Sequence, residues 1–181
     1  MCGIAGQLQL SGGTADRDLI LRMSDLLKHR GPDGDGTYID GTIGLAHRRL
    51  AIIDLSEEGR QPMTNEDGTL WLVFNGEIYN YRELMEELIA HGHQFRSKTD
   101  SEVILHAYEE WGTGCLQRFN GMWAFALWDG RRRELFCARD RLGIKPFYYA
   151  RTGDSFLFAS EIKALRVHPE VGRHPNEKMV S

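Results

Sequence analysis

The residues with the most chemistry to offer stand far apart in the chain: a thiol at Cys2, adjacent arginines at Arg48 and Arg49, the triplet Asn75-Gly76-Glu77, and Asp100. Cys2 is set apart by its position. An initiator methionine is removed when the next side chain is small, and cysteine qualifies, so loss of Met1 leaves a thiol beside a free α-amine. Such an amine titrates near about 7.7–8.0, close to working pH, and can act as general base to the thiol of its own residue. One residue then supplies both nucleophile and base, and no separate His or Asp partner is needed. Taken alone, the same residue reads as an ordinary core cysteine at the start of an apolar strand, because Cys is among the most buried residue types.

An acyl-transfer nucleophile needs donors aimed at the oxyanion. Asn75 and Gly76, directly after the strand predicted over Leu70 to Phe74, offer a side-chain amide and an approachable backbone N–H. The bland alternative is an Asn-Gly turn. A free amino acid further requires a fixed cation for its carboxylate and a fixed anion for its ammonium: Arg49 could give a bidentate grip and Asp100 an acceptor. Each has a plain structural reading too, a solvated strand residue and a helix N-terminal carboxylate respectively.

These groups need a scaffold, and the pattern supplies short strands punctuated by glycine with few helices. Strands are predicted over Gly3 to Leu10, Gly36 to Ile39, Ile43 to Ile53, Leu70 to Phe74, Met122 to Trp128, Glu134 to Arg139, Phe147 to Arg151 and Ser155 to Ala159. Leu19, Ile20, Met23, Leu26 and Leu27 form one helical stripe that ends before Gly31-Pro32. A second helix starts at Asn80 as cap with Glu83 as its capping-box partner, and a third begins near Thr99 to Glu102. Connections too short for helical crossovers make the sheets antiparallel. The class is α+β, with two helices on one sheet and another on the next. Strand alternation sends Arg48 and Arg49 to opposite faces.

Composition narrows the function. With 181 residues, 41% hydrophobic and a net charge of −4, the chain can bury one sizeable core and carries no basic footprint for nucleic acid or anionic membrane. The longest apolar run, Met122 to Trp128, is far too short for a membrane span and reads as a central strand covered on both faces. Three cysteines, Cys2, Cys115 and Cys137, suit reduced thiols and a cytoplasmic setting, with the latter two inert. Arg139-Asp140 with Gly143 and Pro146 is expected to fix a turn near the site. The histidines show no ligand spacing, so no metal is expected.

The motifs "MCGIAG", "HRGPDG" (His29 to Gly34), "AHRRLAIID" (Ala46 to Asp54), "NGEIYNY" (Asn75 to Tyr81), "TDSEVIL" (Thr99 to Leu105), "GMWAFALWD" (Gly121 to Asp129), "RDRLGIKPFYY" (Arg139 to Tyr149) and "SEIKAL" (Ser160 to Leu165) follow one another in order. In this combination the chain resembles the glutaminase domain of glutamine-hydrolysing asparagine synthetases, a class II glutamine amidotransferase. The resemblance covers residues 2–165, with 166–181 expected to begin a linker to a synthetase domain. It implies a four-layer αββα sandwich of two antiparallel sheets, the N-terminal-nucleophile hydrolase fold.

It also implies roles. Cys2 would attack the side-chain amide of L-glutamine, release ammonia and leave a γ-glutamyl thioester for water to hydrolyse. Asn75 and Gly76 match the oxyanion positions; Arg49 matches the carboxylate-binding arginine, with Leu50 to Ile53 lining the pocket; Glu77 and Asp100 fall where the family holds the ammonium. No cofactor is expected in this domain, ATP and magnesium belonging to the synthetase domain, whose phosphate-binding motif does not occur in these residues. The expected partners are L-glutamine and a C-terminal ATP-binding synthetase domain, with a homodimer allowed. Two other readings stay open: a non-catalytic glutamine-binding or docking module, and the amidotransferase half of an enzyme with another amide acceptor.

Overall fold

The computed structural model describes residues 1–54 and 56–172. Two antiparallel sheets face each other. The first has the order β2-β3-β1-β9-β8, built from β1 (Gly3–Gln9), β2 (Gly34–Asp40), β3 (Ile43–Arg49), β8 (Tyr148–Arg151) and β9 (Ser155–Ala159); the second has the order β4-β5-β6-β7, from β4 (Met63–Thr64), β5 (Leu70–Ile78), β6 (Gly121–Asp129) and β7 (Glu134–Arg139). Ile4, Ile43 and Leu45 of the first sheet meet Val73, Ala124 and Ala126 of the second in a dry layer closed by Phe158.

Helices cover the outer faces. The apolar stripe of α1 (Arg17–Asp25), Leu19, Ile20 and Met23, packs with Leu27 on Ala5 and Ala46, joined by Ala164 and Leu165 of α4 (Ile162–Leu165). On the other side α3 (Asp100–Trp111) lies on the second sheet through Ile104, Leu105 and Tyr108, with α2 (Tyr81–Ala90) beside it. This is the α+β class read from the residues, in the four layers that the resemblance implies. Residues 173–181, where most of the expected linker falls, lie outside the described residues.

The N-terminus of the chain runs through the middle of a sheet. β1 pairs with β3 and β9, Ile4 N–H donates to Ser160 Oγ at 3.0 Å, and Ser160 N–H donates back to Ile4 O at 2.9 Å. Cys2 therefore sits at the end of a central strand fixed on both sides.

Several boundaries differ from the sequence reading. β3 stops at Arg49 rather than Ile53, because the following segment curls round the Arg49 guanidinium, which donates to Ser56 O at 2.8 Å and to Asp54 O. β5 runs on through Asn75-Gly76-Glu77 to Ile78, so Asn-Gly is no turn here but a strand segment paired with Ala124 and Trp123 of β6. The Asn80 capping box does not form. Asn80 Nδ2 donates to Arg118 O at 2.9 Å and Oδ1 accepts Asn120 N–H at 2.9 Å, a better use for a side chain at a junction of two loops. Thr99 does cap α3, accepting Glu102 N–H at 3.4 Å. The histidines also depart from expectation: one ligand atom each from His93, His106 and Glu109 lies within 4.8 Å of the others.

Candidate active site

The ends of β1, β3 and β5 and the start of α3 open on one cleft of about 280 Å³, near the lower end of the roughly 300–1,000 Å³ of small-molecule sites. Cys2, Arg49, Leu50, Ile53, Asn75, Gly76, Glu77 and Asp100 all line it. Residues separated by up to 98 positions (2 to 100) in the sequence thus share one wall-to-wall space.

The thiol is held at the mouth of β3. Leu50 N–H donates to Cys2 Sγ at 3.4 Å and the thiol points back at Leu50 O at 3.7 Å. Burial pushes the Cys2 thiol up, opposed by the Leu50 contact, the nearby N-terminal ammonium and Arg49. Cys115 and Cys137 are pushed up by burial to about 12, so neither offers a thiolate near neutral pH. The backbone of Cys2 is pinned as well: its carbonyl accepts from Arg30 Nε at 2.9 Å, and Arg30 Nη1 binds Glu161 at 3.0 Å.

The opposite wall carries the donors. Asn75 is 1% exposed, and its Nδ2 has no hydrogen-bond partner among the described residues. A buried amide N–H without a partner costs about 1–3 kcal/mol; facing a cleft, it is a donor waiting for an acceptor. Gly76 beside it has no room for a side chain, since a Cβ would stand 2.7 Å from Trp123 Cα, and this lets the two strands close behind the donors.

Two charges complete the cleft. Arg49 has no carboxylate within salt-bridge distance among the described residues; its only hydrogen bonds go to the carbonyls of Asp54 and Ser56. Asp100, 5% exposed at the start of α3, accepts Ile78 N–H at 2.9 Å and likewise has no Lys or Arg partner among the described residues. Burial raises its carboxyl to about 6, with the charge of Glu77 adding to the rise and backbone N–H donors opposing it. A lone guanidinium and a desolvated carboxylate pair across a small cleft match the two ends of a zwitterion.

The cleft also contains residues that sequence reasoning missed. Gln61 ties the walls together, its Oε1 accepting Phe74 N–H at 2.6 Å and its Nε2 donating to Ser101 Oγ at 3.1 Å; nothing in its pattern announces this. His47 is 1% exposed and kept neutral, lowered to about 4 by burial and by Arg49, and its Nε2–H donates to Phe74 O at 3.1 Å. Lys145 is buried and reaches Met1 Sδ at 3.6 Å. A signal for Lys145 existed in the expected turn. Asp140 gathers the N–H groups of Trp123, Leu142, Ile144 and Lys145 at 2.8–3.2 Å and so presents the lysine.

Comparison with known proteins identifies the family. The family model described as a glutamine amidotransferase domain matches residues 1–181. The chain is 46% identical over 174 residues to asparagine synthetase [glutamine-hydrolyzing] 3 of Bacillus subtilis (strain 168), covering 94% of this chain and 28% of that protein. It is 42% identical over 194 residues to the putative asparagine synthetase [glutamine-hydrolyzing] 2 of Methanocaldococcus jannaschii, covering 97% and 37%. The chain thus spans about a quarter to a third of the length of these relatives. Among solved structures, the glutamine phosphoribosylpyrophosphate amidotransferase of B. subtilis superposes with a TM-score of 0.78 at 23% identity, over 92% of this chain and 43% of that one. That likeness carries the fold alone, two antiparallel sheets sandwiched between helices. With its cleft built round Cys2 and its whole length matched, the chain belongs to the glutamine amidotransferase domain family.

Proposed function

We propose that this domain hydrolyses L-glutamine to glutamate and ammonia through Cys2, and that it delivers the ammonia to an ATP-dependent synthetase domain of the asparagine synthetase type. The observation that carries the reading is the convergence of an N-terminal thiol, an unpartnered buried amide at Asn75 and two charges without protein partners, Arg49 and Asp100, in one cleft.

Met1 lines the same cleft. Its removal uncovers the thiol and converts the Cys2 peptide N–H into the amine that takes the thiol proton. Arg49 then holds the substrate carboxylate, and Asp100 with Glu77 holds its ammonium, which leaves the side-chain amide facing Sγ. Attack on the amide carbon breaks its π bond and places negative charge on oxygen, where Asn75 Nδ2 and Gly76 N–H donate. Collapse of this adduct, with the proton passed from the amine to the departing nitrogen, releases ammonia and leaves the thioester. Water, deprotonated by the same amine, frees glutamate.

The relatives named as asparagine synthetases, of which this chain covers 28% and 37%, support a parent protein of that type; ATP and magnesium would serve its remaining domain. Three free thiols fit a cytoplasmic setting. The test is ammonia and glutamate release from L-glutamine by chain whose N-terminus mass spectrometry shows to be Cys2. Cys2→Ala is expected to lower turnover by about 10⁴-fold or more. Processed wild-type chain that binds glutamine without producing glutamate would instead establish a binding module.

A further inference from the structure

Two turns down the helix that presents Asp100, a second polar cluster has no part in the glutaminase chemistry. His106 is 1% exposed on α3, Glu109 follows one turn later, and His93 comes from the segment joining α2 to α3. Glu109 Oε2 stands 2.8 Å from His106 Nδ1 and 3.5 Å from His93 Nδ1. A zinc-type ion with arms of about 2.0–2.2 Å spaces tetrahedral ligands by about 3.4 Å; these two separations fall either side of that spacing, and all three ligand atoms lie within 4.8 Å of one another.

The surroundings orient the donors as the outer partners of a metal site do. Asn65 Nδ2 donates to Glu109 Oε1 at 2.8 Å, which turns Oε2 toward the imidazoles. Phe95 packs edge-on against His106 with ring centroids 4.6 Å apart. The charge balance favours a cation. Glu66, Glu102, Glu109 and Glu110 crowd the cluster, and among the described residues none has a Lys or Arg within salt-bridge distance; their ion-pair partners are His91, His93 and His106 alone.

We propose that His93, His106 and Glu109 form a binding site for a zinc-type divalent transition-metal ion, with water completing its coordination. Two imidazoles and one carboxylate suit Zn²⁺, Co²⁺ or Ni²⁺ better than Ca²⁺ or Mg²⁺, which favour oxygen ligands. The ion clamps the α2–α3 connection to the helix that carries Asp100.

The test uses the tag-free chain in a Cys2→Ala background, so that the reactive thiol contributes no ligand. Zn²⁺ competition against a chromophoric chelator is expected to show one ion per chain, and zinc is expected to raise the melting temperature relative to chelator-treated protein. His93→Ala and Glu109→Gln should each weaken Zn²⁺ at least tenfold, while His91→Ala stays within about twofold; circular dichroism melts confirm that each variant folds. Absence of stoichiometric binding, or full-strength binding by folded His93→Ala, overturns the proposal. So does a thiolate charge-transfer band in the Co²⁺ complex, which would place the ion at Cys115 or Cys137.

Discussion

The two faces of β3 treat neighbouring arginines in opposite ways. On the outer face, Arg48 is fully engaged: Nε donates to Ser24 Oγ at 2.9 Å, one Nη meets Asp25 at 2.6 Å and the other lies 3.6 Å from Asp35. On the cleft face, among the described residues, Arg49 meets no carboxylate, Asp100 accepts backbone N–H but meets no Lys or Arg, and the Asn75 Nδ2 has no partner. Folding alone would pair such groups, since unpaired buried polar atoms and charges reduce stability. One face is finished by the protein; the other leaves groups that the proposed ligand, with its carboxylate, ammonium and side-chain amide, would complete.

Several changes would break or sharpen that contrast. The largest effect after loss of the thiol is expected at the unpartnered amide: Asn75→Ala should lower kcat for glutamine hydrolysis by about 10²–10³-fold with a smaller change in KM, and an unchanged kcat would remove Asn75 from the oxyanion site. Arg49→Ala should weaken glutamine about 10²-fold, read as KM, whereas Arg48→Ala should leave kcat and KM within about twofold. Equal losses of activity in the two variants would erase the distinction between the faces.

The charge on Asp100 gives a pH test. Its carboxyl stands raised to about 6 in the folded protein, and the ammonium of a ligand needs the ionised form. Glutamine binding to the Cys2→Ala chain, measured by calorimetry, should weaken about tenfold per pH unit below pH 6, and Asp100→Asn should flatten the profile. The same group bears on stability. A folded pKa above the unfolded one contributes stability below about 4 that is lost as pH rises through about 6. Asp100→Asn should therefore stabilise the domain by up to about 3 kcal/mol at pH 8 and by little at pH 4, as read from denaturant melts. The smallest effect belongs to the outer face, where Arg48→Ala should cost about 1–2 kcal/mol of stability.

Local signals in the sequence were strong where one residue type answers one local demand. Most of the α1 stripe (Leu26 is exposed), the start of α3 near Thr99, the double-buried β6 and the antiparallel strands follow from spacing and short connections. Boundaries failed where a distant partner decides them. β3 ends at Arg49 because Asp54 and Ser56 turn back to its guanidinium, and Asn75-Gly76 stays extended because β6 offers it a strand partner. Asn80 abandons its cap for Asn120 for the same reason.

The sequence by itself supplied the residue types that acyl-transfer chemistry and a free amino acid would require: a thiol at Cys2, a guanidinium at Arg49, an amide at Asn75 and carboxylates at Glu77 and Asp100. Tertiary structure alone decided which polar groups go unpaired. Whether a side chain finds a partner depends on segments distant in the chain as well as on near neighbours, so the absence of a carboxylate beside Arg49, the buried amide of Asn75 and the approach of His93 to the His106–Glu109 pair exist only in the folded chain.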